Sequence, residues 1–148
     1  MGRKKIYTED TKWLRQIYNN KKTENGGFSK VTTIEFIEWF DQSVYDKGCC
    51  YCGTTHETSK KIFDFQIISK GRLDATRGKH RMHRLELERV IPNEPYDNLK
   101  NLAWACHWCN NAKSNFFTKE EFKPVISDAI KIALDKIIEE IDKKIKYE

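Results

Sequence analysis

The chain has 148 residues, enough for one domain that buries about 70% of the surface its unfolded form would expose. A charged share of 33% against 39% hydrophobic fits a soluble globular protein, and no stretch approaches the ~20 consecutive apolar residues of a membrane span. The net charge of +5 suits a polyanionic partner without requiring one, and the basic start MGRKK has no apolar run behind it, so no secretion signal is read and a cytoplasmic location is expected.

In chain order, residues 8–20 (TEDTKWLRQIYNN) set Trp13, Leu14 and Ile17 at helical spacing behind acids in the first turn, which predicts a helix. Gly26 and Gly27 break the chain. The run TTIEFIEWFDQSVYD opens with a capping box between Thr32 and Glu35 and carries Ile34, Ile37, Phe40 and Val44 at helical spacing, predicting a second helix. KGCCYCG reads as a tight knuckle. KIFDFQII alternates and predicts a strand, whereas SKGRLDATRGKHRMHR reads as a very basic loop. RLELERVIP predicts a strand stopped by Pro92, NEPYDN a turn, LKNLAWAC a second strand, and HWCNNAKSNFF the start of a helix. Thr118 and Glu121 match another capping box. Beyond Pro124, Ile126, Ile130, Ala133, Leu134, Ile137, Ile138, Ile141 and Ile145 form an apolar stripe, read as core-facing, with a dimerising helix as the alternative.

Five cysteines, an odd number, argue against a disulfide framework. Four form two C-x-x-C pairs, Cys49 with Cys52 and Cys106 with Cys109. Two such turns each present a pair of thiolates, the donor set of a tetrahedral structural zinc that ties distant segments together. A redox pair is the competing reading; Cys50 is a spectator. Four protein ligands would leave such a zinc no open position for catalysis.

Within the zinc-pinned unit lie Glu86, Glu88 and Arg89 on the first strand, Asn101 at the second, and Asn110 directly after Cys109. The order LELERVIP, Asn101 five residues before Cys106, then CNNAKSN from the last cysteine of the C-x-x-C resembles the HNH (His-Me finger) endonucleases. Their signature is an acid and a histidine ending one strand, a middle asparagine, and C-x-x-C followed by asparagine or histidine. The likeness is to members with two zinc knuckles, a rare-cutting restriction enzyme and a phage junction resolvase among them, and it spans residues 32–122. It implies an α+β fold: a ββα-metal (HNH) core with a structural four-cysteine zinc site, flanked by N-terminal helices and a C-terminal amphipathic helix. The chain is then one HNH domain over 1–148, with a helical extension at 1–31 and a C-terminal helix at 123–148.

The resemblance further implies that Glu88 and Asn110 hold a hard divalent ion, Mg²⁺ or Mn²⁺, that Glu86 orients the site, and that Asn101 holds the loop. Arg89 occupies the place of the general-base histidine. A guanidinium keeps its proton below pH ~12, so Arg89 can clamp a phosphate but cannot activate water. His83 is the preferred replacement base, with His80, Tyr96, His107 or a metal-bound hydroxide as alternatives. Blander readings exist for each: a solvated strand face for the glutamates, a helix cap for Asn110, a turn residue for Asn101, surface positions for the histidines.

Lys70, Arg72, Arg77, Lys79, Arg81 and Arg84, with His80 and His83, crowd one segment diluted only by Asp74, an expected phosphate-contacting surface or else a solvated loop. Lys113, Ser114 and Asn115 are further phosphate-contact candidates. The expected function is metal-dependent cleavage of double-stranded DNA, favoured as site-specific cutting by a homodimer that brings one site to each strand. A homing or phage-type nuclease and a junction resolvase are same-class alternatives. A zinc-structured DNA-binding module without catalysis is the alternative from another class.

Overall fold

The computed structural model describes residues 8–22, 27–68 and 83–147. The expected phosphate contacts Lys70, Arg72, Arg77, Lys79 and Arg81, with His80, lie outside the described residues. Helices are α1 (Lys12–Lys22), α2 (Thr33–Trp39), α3 (Gln42–Asp46), α4 (His56–Ile68), α5 (His107–Lys113), α6 (Lys119–Phe122) and α7 (Asp128–Tyr147). The strands β1 (Glu86–Arg89) and β2 (Leu102–Ala105) pair antiparallel, with Glu86 opposite Ala105 and Arg89 opposite Leu102. β1, β2 and α5 form the small ββα unit, and α5 packs on β1. None of the described helices is long and apolar enough to cross a membrane.

Trp104 of β2 is the hub of the core. Its ring centroid lies 5.7 Å from Trp13, 5.8 Å from Phe40 and 5.1 Å from Tyr45, so α1, α2 and α3 all close on one strand residue. Such aromatic pairs add about 0.5–1.5 kcal/mol each beyond the area they bury. A second run of rings, Tyr18 to Phe28 at 4.8 Å and Phe28 to Tyr96 at 5.6 Å, joins α1 to the turn after β1.

Several expected elements differ. The run 61–68, expected as a strand, is the second half of α4. The Thr55 hydroxyl accepts from the Thr58 amide, Lys60 pairs with Asp64 one turn on, and only a helical period buries Ile62 against Leu134 and Ile141 of α7. The helix expected over 32–46 breaks at Phe40, whose backbone is extended (φ −61°, ψ 131°), because Asp41 caps a new helix through the Ser43 amide. That break lets Phe40 reach Trp13 and Trp104. The second strand is shorter than expected, a 3-10 turn at Leu99–Asn101 preceding it. Thr118 caps the Glu121 amide at 3.2 Å, the half of the expected box that the structure shows. Pro124 does not begin the last helix: it sits in a π-helical turn, Lys123–Ser127, that joins α6 to α7. The C-terminal stripe is core-facing at Leu134 and Ile141, while Ile145 is exposed.

Candidate metal centres and active-site cavity

Each knuckle turns a backbone amide onto the sulfur of its first cysteine. Gly48 (φ +92°) opens the first; a Cβ there would lie 2.5 Å from the Gly53 carbonyl oxygen, so the turn excludes any side chain. The Cys49 amide donates to Thr54 O at 2.8 Å, and the Tyr51 amide points at the Cys49 sulfur at 3.4 Å. In the second knuckle Cys106 caps α5, and the Cys109 amide points back at its sulfur, also at 3.4 Å. The ligand atoms of Cys49, Cys52, Cys106 and Cys109 all lie within 4.8 Å of one another. Cys52 Sγ and Cys106 Sγ are 3.7 Å apart, matching the ~3.8 Å edge of a tetrahedron with ~2.3 Å zinc–sulfur bonds. Sulfur hydrogen bonds within the cluster draw the Cys49 thiol well down and Cys52 to about 7 while the Cys106 and Cys109 thiols are pushed up, so the case for a metal here rests on the four-sulfur geometry. Cys50 stays out of the cluster; its amide donates to Trp104 O at 2.8 Å, tying the knuckle to β2.

Glu86 and Glu88 share the β1 face that meets α5. Glu86 is bridged: its Oε1 lies 3.0 Å from His107 Nδ1, and Oε2 accepts from Asn110 Nδ2 at 2.7 Å. A carboxylate only accepts, so this bond fixes the amide orientation and leaves the Asn110 oxygen as the donor atom. Glu88 is 4% exposed. Its Oε1 accepts from Lys113 Nζ at 3.3 Å, and its Oε2 is buried without a partner. Burial pushes the Glu88 carboxyl up to about 7 even though Lys113 pulls it down. A buried carboxylate oxygen with no donor is costly unless something binds it.

A cavity of about 120 Å³ opens here, lined by Lys21, Leu87, Glu88, Arg89, Tyr96, Asn110, Ser114 and Asn115. Glu88 and Arg89 are adjacent and would face opposite sides of a flat strand, yet both reach the cavity because β1 ends at Arg89. Arg89 Nη1 donates to Glu94 O at 3.3 Å, and its guanidinium carbon sits 4.7 Å from the Tyr96 ring centroid. Asn101 brackets the loop after β1, accepting from the Ile91 amide at 2.8 Å and donating to Ile91 O at 3.0 Å.

Other expected site residues are placed differently. His83 packs on Phe63 at 5.6 Å and does not line the cavity. Arg84 lies over Trp13, its guanidinium carbon 5.6 Å from the ring centroid. Lys113, expected as a phosphate contact, is fully buried and faces Glu88 and Arg89 O instead, because Glu88 needs a counter-charge inside the ββα unit. Asn115 is exposed and lines the cavity. Sequence reasoning missed Lys21: nothing in α1 marks it, and only the ring stack from Tyr18 to Tyr96 brings it near.

The chain that carries this ββα unit and its four clustered cysteines resembles a solved structure. This chain is similar to the rare-cutting HNH restriction endonuclease PacI. The two share 27% sequence identity and superpose with a TM-score of 0.59 over 82% of this chain and 76% of PacI, an enzyme described for the way it perturbs DNA. No protein-family model and no curated protein matches the chain. A coverage of 82% of the chain is more than residues 32–122 make up, and the four-cysteine cluster is compatible with a metal such as zinc.

Proposed function

We propose that this chain is a metal-dependent DNA endonuclease that hydrolyses phosphodiester bonds and is braced by one structural zinc at Cys49, Cys52, Cys106 and Cys109. The observation that carries it is the convergence of the unpartnered Glu88 Oε2, Asn110 and Arg89 on one cavity in a chain similar to an HNH nuclease. Hard oxygen donors suit Mg²⁺ or Mn²⁺, so Glu88 and Asn110 would hold the catalytic ion, which supplies charge stabilisation at the scissile phosphate. Glu86 fixes Asn110 by its amide nitrogen, and Asn101 fixes the loop. Arg89 stays protonated and clamps the phosphate with its planar fork. Proton removal from water falls to another group, and among the side chains considered for it Tyr96 lines the cavity while His83 and His107 do not.

Site-specific double-strand cleavage by a homodimer acting in the cytoplasm is the favoured form, supported by the likeness to a restriction enzyme. A DNA-binding module without catalysis is the second reading, supported by Arg89 in the place of a base. Incubating the protein with phage-length DNA and Mg²⁺, beside an EDTA control, separates them. Discrete bands that vanish with EDTA support the site-specific enzyme and a smear a non-specific one. Binding with no cleavage in Mg²⁺, Mn²⁺ or Ni²⁺ sinks the enzyme reading.

A further inference from the structure

We propose that Lys21, on the last turn of α1 and outside the ββα motif, is a second cationic arm of the active site and contacts the scissile phosphate beside Arg89. The inference rests on the nuclease reading and goes beyond it by assigning the N-terminal helix a part in the chemistry. Lys21 lines the same cavity as Glu88, Arg89 and Asn110. Its Nζ lies 5.3 Å from the Tyr96 ring centroid, and the Arg89 guanidinium carbon lies 4.7 Å from the same centroid. One aromatic platform therefore holds two cations at the mouth of a site that faces a phosphodiester.

The placement is built, not incidental. Tyr18, one turn earlier on α1, is buried and stacks on Phe28, which packs on Tyr96. The Tyr18 hydroxyl donates to Val31 O at 2.7 Å. Asp97, next to Tyr96, accepts from the backbone amides of Ser29, Lys30 and Val31, each at 3.0 Å. The end of α1, the 28–31 loop and the turn carrying Tyr96 are thus one braced unit. A lysine at a helix C-terminus also complements the helix dipole, but that serves exposed Lys22 equally and does not account for the ring contact inside the cavity. An arginine fork and a lysine point charge can together engage both non-bridging oxygens of one phosphate.

The test compares Lys21→Met, Lys21→Arg and, as a control, Lys22→Met in the full-length protein. Two readouts are taken: single-turnover cleavage at saturating DNA with Mg²⁺, and the salt dependence of DNA binding with Ca²⁺. Lys21→Met is expected to slow cleavage about tenfold or more, the loss of roughly one contact at the phosphate, with Lys21→Arg partly restored and Lys22→Met unchanged. The slope of log affinity against log salt should fall by about one in Lys21→Met. Wild-type cleavage and an unchanged slope in Lys21→Met, or an equal loss in Lys22→Met, overturns the proposal. Should Lys21→Met fail to fold, Lys21→Gln, which also removes the charge, takes its place: slowed cleavage with a slope lower by about one supports the contact, and wild-type values of both oppose it. If the wild-type protein binds DNA but never cuts, the nuclease reading fails and the inference with it; a slope change would then show a DNA contact only.

Discussion

Lys113 is fully buried, and its ammonium lies 3.3 Å from one oxygen of Glu88 and 3.3 Å from the carbonyl of Arg89, while the other Glu88 oxygen faces no donor. The lysine thus fixes one half of the carboxylate and leaves the other half without a protein partner. Breaking a buried pair by removing one partner costs about 3–5 kcal/mol. The Glu88 carboxyl can escape part of that cost by protonating, because burial already raises it to about 7. A raised carboxyl contributes stability that is complete below its unfolded value near 4.5 and is lost as pH rises through 7. Lys113→Met should therefore destabilise the metal-free protein more at pH 8 than at pH 5, with Glu88→Gln in the same chain recovering much of the loss at pH 8. Chemical denaturation of the four members of that cycle at both pH values checks this; an equal loss at the two pH values would mean that the pair carries no charge.

Substituting serine at Cys49, Cys52, Cys106 or Cys109 should release zinc and lower the melting temperature sharply, since metal binding in such a site is folding free energy. Cys50→Ser should do neither, because Cys50 lies outside the cluster. Zinc content per chain and thermal melts of the five variants are the measurement. A full zinc complement in any of the four, or its loss in Cys50→Ser, would contradict the assignment.

Asn101 holds the loop after β1 through the Ile91 backbone. Asn101→Ala removes the side-chain partners of the Ile91 amide and carbonyl; Ile91 is exposed, so water takes their place and the cost is about 0.5–1.5 kcal/mol per hydrogen bond. Because the loop they anchor follows Arg89 directly, cleavage should fall more than DNA affinity does. Parallel measurement of stability, Kd and cleavage rate would show this; a variant that only loses stability and keeps its rate would reduce Asn101 to a loop brace.

Acid should loosen the N-terminal unit. Burial works to raise the Asp97 carboxyl, but hydrogen bonds from Ser29, Val31 and Lys30 outweigh it and hold the group near 2. A depressed carboxyl contributes stability above its unfolded value near 3.8 and loses it as pH falls toward 2. Asp97→Asn should therefore be less stable than wild type at pH 6 and nearly equal to it at pH 2. A difference that persists at pH 2 would assign the effect to packing instead of charge.

What the sequence made legible were the features whose physics is local. The C-x-x-C knuckles, the Thr32 cap and the short strand of Glu86 and Glu88 follow from neighbouring residues, and the structure has all of them. The α4 helix was illegible because KIFDFQII alternates by chance; its helical period matters only once α7 offers a groove for Ile62. The break at Phe40 was marked by Asp41, a capping residue hidden inside an otherwise helical apolar pattern. Lys113 looked like a surface cation because nothing beside it in the chain announces the buried Glu88 it must neutralise. Lys21 is farther out of reach, since its place in the cavity depends on aromatic contacts between segments distant in sequence.

The central claim is that Glu88 and Asn110 hold the ion that cuts DNA. Its most direct test measures Mg²⁺-dependent cleavage by wild type, Glu88→Ala and Asn110→Ala, with zinc content and melting curves taken on the same samples. The expected result is EDTA-sensitive cutting by the wild type and none by either variant, each still folded with its zinc. A Glu88→Ala protein that keeps its zinc and cuts at the wild-type rate would contradict the claim.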